Sequence, residues 1–218
     1  MNRPMRAATL RIASIVLILA ALGCVAIAWS YWHIHLARGV FITQPERASR
    51  LLVLAGPQAG LLPEYHELQG RIALAGDDAQ AAQASFQRYV DQQRGAPEAW
   101  GYLAVAHALA YDLDAARRSL DEALRLGPFE PELIGILADR GPLIARQLTL
   151  DQRARVSDLL HWYAQSNPLV AVDSAERLGM LFVICDAATS WPRDDWNYDR
   201  MNLACAKKGV AEVESDAD

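Results

Sequence analysis

Residues 97–128 read PEAWGYLAVAHALAYDLDAARRSLDEALRLGP, and the fold class follows from this stretch. Trp100, Leu103, Ala104 and His107 recur at i, i+3, i+4 and i+7, the stripe of a helix packed on one side. Ala116, Leu120 and Ala123 form the matching stripe of a second helix, which Gly127-Pro128 brings to an end. Tyr111-Asp112-Leu113 joins the two halves. Ala104 and Ala116 are small where two antiparallel helices need to approach closely. Ala and Leu dominate the composition and the β-branched residues are sparse, so an all-α chain is expected.

Trp100, Leu103, Ala104, His107, Ala116, Leu120, Ala123 and Pro128 stand at the spacings of a tetratricopeptide repeat (TPR), which this stretch resembles. His107 and Leu120 depart from the aromatics usual at their positions. Pro63-Glu64 and Pro97-Glu98 lie 34 residues apart, the period of that family. Within 63–96, Gly70, Ala73, Ala82, Phe86 and Tyr89 occupy repeat positions and Gly76-Asp77-Asp78 makes the turn. His66 and Gln69 stand where Trp and Leu are usual, so the first helix of this repeat is degenerate. One period earlier, Trp32 and Leu36 fall at first-helix positions and Ala48, Leu52 and Ala55 at second-helix positions. The resemblance implies a right-handed α-solenoid of antiparallel helix pairs, with two TPR-like repeats at 63–128 and a connecting helix or half repeat at 33–62.

The amino terminus reads differently. Residues 1–11 carry Arg3, Arg6 and Arg11 and no acid, and 12–32 are 21 residues without a charge. As a helix that run spans about 31 Å, the thickness of a hydrocarbon core. Trp29, Tyr31 and Trp32 close it like an interfacial aromatic belt. Three arginines before the run against Arg38 alone soon after place residues 1–11 in the cytoplasm and the rest of the chain outside it, which in a bacterium is the periplasm. Two processing readings stand beside the uncleaved anchor: Ala26-Ile27-Ala28 as a signal-peptidase site, and Ala21-Leu22-Gly23-Cys24 as a lipoprotein box with Ala21 in place of the favoured Leu three positions before the Cys. In the anchor, Cys24 is a small apolar residue. The short link Gly56 to Leu62 reads as a turn, so a helix running on from the membrane would hold the following helices rigidly near it.

Repeats bury their faces only against neighbours, so further helices are expected in 129–208 as a capping region. Phe129 to Arg140 reads as a helix entered through Pro131 and closed by Gly141-Pro142. Thr149-Leu150-Asp151-Gln152 reads as a capping box opening a helix that carries Val156, Leu159, Leu160 and Tyr163. Asn167-Pro168 ends it, and Leu169 to Leu178 forms a shorter helix stopped at Gly179. Met180 to Cys185 reads as buried helix, and a last helix spans Arg193 to Lys208. Residues 209–218 read as a disordered acidic tail.

Cys185 and Cys205 lie 20 apart, flanking the Trp191-Pro192 turn between two expected antiparallel helices. In an oxidising compartment such a pair favours a disulfide, whereas in the cytoplasm it is two buried thiols. No metal site, cofactor site or small-molecule substrate is evident. His33, His35, His66, His107 and His161 lack partners at ligating or catalytic spacings, and neither a nucleophile elbow nor a phosphate loop is present. No enzymatic activity is therefore expected. The net charge of −5, more negative still without the three leading arginines, argues against nucleic acid.

Trp191, Trp196 and Tyr198 with Arg193 have the composition of a binding hot spot, and also that of a cap on a helical stack. On the geometry that the TPR resemblance implies, Tyr65, Gln69, Tyr102, Val105 and Ala106 line a concave groove. The expected function is a membrane-anchored scaffold, held through 12–32, that docks other envelope proteins. This layout is similar to that of accessory factors of polysaccharide polymerisation or export, towards which the reading leans. It is also similar to that of maturation factors for periplasmic c-type cytochromes or dehydrogenases, where Cys185 and Cys205 would do the work.

Overall fold

The computed structural model describes residues 3–188 and 196–210, with side chains for 12–140, 143–186 and 199–210. Among them are twelve α-helices, one 3₁₀ turn and no strand. The chain divides into two compact units, Met1–Gly76 and Asp77–Asp218.

In the first unit α1 runs unbroken from Arg3–Val40, well past the end of the uncharged run. Nothing in His33–Val40 breaks a helix: the segment lacks Pro, and its Gly39 comes one residue before the end. Residues Ile12–Val40 are long and apolar enough to cross a membrane, with a mean hydropathy of 2.6 over the best window, none of it buried. A four-residue turn then reverses the chain into α2 (Pro45–Leu54), and a 3₁₀ turn (Pro57–Leu61) leads into α3 (Pro63–Ala75). Ile34 and Ala37 of α1 pack with Ala48, Leu52, Ala55, Ala59 and Leu68 in one apolar core. The face of α1 turned to α2 is therefore Ser30, His33, Ile34 and Ala37, all buried. Trp32 and Leu36, expected on that face, are exposed instead. A helix presents one stripe at 3.6-residue period, and the small and polar Ser30 and Ala37 let α2 come close where Trp32 would hold it off.

The second unit comprises α4 (Ala79–Gln92), α5 (Pro97–Leu109), α6 (Leu113–Leu126), α7 (Pro131–Asp139), α8 (Gly141–Ala145), α9 (Leu150–Ala164), α10 (Pro168–Arg177), α11 (Leu181–Ala188) and α12 (Trp196–Lys207). At its centre α5 packs against α4, α6, α7 and α8, while α10 gathers α7, α9, α11 and α12. Apart from Glu98 in its first turn and His107 in its last, α5 is apolar all round, the composition of a helix covered on every side.

The 34-residue spacing seen in the sequence is also a property of the backbone. Prolines open α3, α5 and α7 at 63, 97 and 131, and Pro131-Glu132 extends the Pro-Glu series to a third member. Asp78 and Asp112 cap α4 and α6 with φ,ψ of −85°,84° and −84°,81°, each side chain accepting from the amide three residues on. Asp77 and Tyr111, also 34 apart, are the non-glycine residues with positive φ among the described residues, at 54° and 61°. Gln93 and Gly127 close α4 and α6 at −132°,65° and −135°,72°. The buried faces match as well: Ala82 with Ala116, Ser85 with Ser119, Phe86 with Leu120, Tyr89 with Ala123 and Val90 with Leu124.

Beyond 130 the period fades. Gly141-Pro142 opens α8 rather than simply ending the helix before it, because proline is tolerated in a first turn where no intrahelical donor is needed. Thr149 and Gln152 form the capping box of α9: the Gln152 amide donates to the Thr149 hydroxyl at 3.2 Å, and the Thr149 amide to the Gln152 side-chain carbonyl at 3.1 Å. Gly179 takes φ 66° after α10, with the Met180 amide donating to the Ala175 carbonyl at 2.7 Å, a left-handed stop. Met180 to Cys185, apolar throughout, leads into and forms most of α11. The start of the last expected helix at Arg193 lies outside the described residues, as does most of the expected acidic tail.

Candidate functional site

Two features carry distinctive geometry, one in each unit. In the first unit it is the collar where α1 meets the end of α2. The Trp29 indole donates to the Leu54 carbonyl at 3.0 Å, and the Ser30 hydroxyl donates to the Ala55 carbonyl at 2.6 Å. His33 Nδ1–H donates to the Trp29 carbonyl at 2.9 Å, and its ring lies 4.4 Å from the indole. The carbonyls freed at the end of α2 are thus taken by side chains of α1. Farther along, the buried Glu67 carboxylate pairs with Arg38 of α1 and, at 3.0 Å, with Arg71 of α3. Arg71 also lies over the Phe41 ring, 5.1 Å from its centroid. Through these pairs Glu67 ties α3 to α1, and Arg71 reaches the turn that follows α1. His66 Nε2–H donates to the Gly60 carbonyl at 2.9 Å, fixing the 3₁₀ turn to α3. Between α2 and α3 an open cleft of about 440 Å³ is lined by Pro45, Glu46, Ser49, Arg50, Ile72, Ala75 and Gly76.

Of the expected groove residues, Tyr65 and Gln69 lie on α3 in the first unit, both partly buried, with Tyr65 against the apolar core. Tyr102, Val105 and Ala106 are 9%, 1% and 0% exposed. The Tyr102 ring stacks on Phe86, 5.0 Å between centroids at 6°. These three side chains of α5 are thus buried, and none presents an open face. Trp191 lies outside the described residues, and Trp196 and Tyr198 stand in the first turn of α12, their side chains not among those described.

In the second unit the exposed aromatics are elsewhere. Phe129, after α6, and Trp162, on α9, form an exposed pair with ring centroids 5.6 Å apart, and Tyr163 extends it at 6.5 Å from the indole. Trp162 and the partly buried Tyr163 lie off the buried stripe of α9, which runs through Val156, Leu159, Leu160 and Ala164. A small polar knot lies between α6 and α9: Gln152 donates to the Arg117 carbonyl and to Asp121, both at 3.0 Å, and Arg155 pairs with Asp121 at 2.6 Å and Asp151 at 2.7 Å. The void beside it, about 10 Å³, holds at most a single water and is no ligand site.

Cys185 and Cys205 form a disulfide with their Cα atoms 5.8 Å apart, joining α11 to α12. The residues are 5% and 1% exposed, so an attacking thiolate has no approach to either sulfur. That burial belongs to a structural bridge rather than a working redox pair. Among the described residues no group of three or more His, Cys, Asp or Glu side chains is arranged to hold a metal ion.

Comparison with protein-family models, with curated proteins and with solved structures finds no match to this chain.

Proposed function

We propose that this chain is a membrane-anchored, TPR-like scaffold that docks other proteins of a bacterial envelope system on the periplasmic side of the inner membrane. The observation that carries this reading is the 34-residue period, recurring in capping aspartates, left-handed turn residues and buried faces alike. Helices repeated in this way build interaction surfaces rather than catalytic pockets. The apolar span of α1 supports the anchor, and the arginine bias of its flanks supports the orientation. The Cys185–Cys205 bridge supports an oxidising compartment for the second unit. The leading partner class is the machinery of envelope polysaccharide polymerisation or export.

The docking surface proposed for the second unit is centred on Phe129 and Trp162, an exposed aromatic pair of hot-spot composition. The test is photo-crosslinking in living cells from positions 129 and 162, with Tyr102 as the buried reference. One envelope protein trapped from both surface positions and absent from 102 supports the reading. Silence at 129 and 162 with the full-length protein present in the membrane refutes this surface.

A further inference from the structure

The end of the first unit beside the apolar span is itself built for lipid. Residues 53–63 read VLAGPQAGLLP: eleven residues with no charge and Gln58 as the one polar side chain, bounded by Arg50 and Glu64. The hydrogen bonds of Trp29 and Ser30 to the carbonyls of Leu54 and Ala55 bring the end of α2 to the level of Trp29 and Ser30 on α1. The chain turns there, through Pro57–Leu61, before α3 leads away. Ala59 is buried in the unit's core, but Val53, Leu54 and Leu61 are 77%, 58% and 73% exposed. Trp29, Tyr31 and Trp32, at the same level, are exposed as well. A soluble end would carry charges on such a turn, and a contiguous apolar surface of this kind marks an interaction site.

Resting on the reading of α1 as a membrane anchor, we propose that residues 53–63 are a second membrane contact, a foot lying in the boundary between headgroups and acyl chains. Val53, Leu54 and Leu61 enter the apolar side of that boundary. Trp29, Tyr31 and Trp32 occupy the headgroup level where amphipathic rings collect. The occupant is the bilayer because the apolar end is continuous with the span and sits where about 20 residues of α1, counted from Ile12, have crossed the hydrocarbon. The anchor is then a helix with a collar rather than a bare helix, and the charged pair Arg38–Glu67 lies above the interface on the watery side.

The test uses the full-length protein in phosphatidylcholine–phosphatidylglycerol vesicles, with Cys24→Ser removing the free thiol. Single cysteines at Val53 and Leu61 carry an environment-sensitive fluorophore, with Leu19 in the span and Ile42 at the opposite end of the α1–α2 hairpin as references. Lipids brominated near the headgroup should quench probes at 53 and 61 about threefold or more beyond the probe at 42, while iodide in the buffer quenches mainly 42. The four positions are exposed, and helical circular dichroism equal to that of the parent verifies the fold of each variant. Iodide quenching at 53 and 61 with deep-bromine quenching at 19 overturns the foot and leaves the anchor standing. Iodide quenching at 19 overturns both. Probes at 53 and 61 shielded from bromine and iodide alike overturn the foot in favour of a protein covering.

Discussion

Opening the bridge between Cys185 and Cys205 should cost the second unit a measurable share of its stability. The cysteines close a loop 20 residues long. In the chain-entropy account a closure of that length restricts the unfolded ensemble by about 11 cal/mol/K, or about 3.3 kcal/mol at 25 °C. For a unit of this size each kcal/mol moves the melting temperature by about 2–4 °C, so reduction should lower it by about 7–13 °C. Cys185→Ala/Cys205→Ala should melt near the reduced protein, a little lower for the volume lost from two buried sites. The assay is thermal unfolding by circular dichroism of the full-length protein in detergent micelles, with and without a phosphine reductant. Thiol titration under denaturation provides the count: one reactive thiol before reduction, from Cys24, and three after. A drop under about 2 °C on full reduction would refute the loop-closure reasoning. Three thiols in protein taken directly from membranes, before any reductant, would refute the oxidising compartment instead.

Further predictions concern single side chains. A Cβ built on Gly127 would lie 2.7 Å from Cβ and Cγ of the rigid Pro97 ring and 3.0 Å from Glu130 Cβ, so Gly127→Ala should cost about 1–3 kcal/mol in chemical denaturation. Gln93→Ala, at the same backbone angles one period earlier, should be nearly neutral. Thr149→Ala, which removes half the capping box of α9, should cost about 1 kcal/mol, and Thr149→Ser should restore most of it. Burial lowers the pKa of His107, with Arg118 acting in the same direction and Asp112 opposing them, while the Gln83 amide donates to its Nδ1 at 3.1 Å and favours the neutral ring. Because the unfolded chain then binds the proton more readily, stability from this site is complete above about pH 6.5 and declines as pH falls below it. His107→Gln should flatten the denaturation midpoint between about pH 7 and pH 5, and an unchanged slope would contradict the assignment.

The structure separates what residue patterns encode locally from what they leave to packing. The Thr149–Gln152 box and the stop at Gly179 were legible because each is decided within a few residues of backbone, whereas Asp78 and Asp112 were legible as turn residues and not as caps. The 34-residue period was legible for the same reason, and its third Pro-Glu, at 131, opens a helix of only nine residues. The extent of α1 was not legible from hydropathy, which reports the depth of an apolar solvent and is indifferent to where a helix ends. The burial of Tyr102, Val105 and Ala106 was missed for a different reason. Placing Tyr102, Val105 and Ala106 on an open face assumed an array of repeats with one side bare, yet α5 carries apolar residues around its whole circumference. That composition signals burial on all sides, and it was present in the sequence.

The unbroken course of α1 has a mechanical consequence. One rigid rod carries both the apolar run and the stripe Ser30, His33, Ile34 and Ala37 that α2 grips. The heading of α2 and α3 about the axis of α1 is therefore set by residue count, at about 100° and 1.5 Å per residue. A single alanine inserted after Val25 would swing them by more than a quarter turn against the amino-terminal end of α1, and four would bring the heading back to within about 40° while moving them about 6 Å along the axis. Such a helix behaves as a drive shaft: torque or tilt applied at its amino-terminal end is passed on to α2 and α3, where a flexible tether would dissipate it.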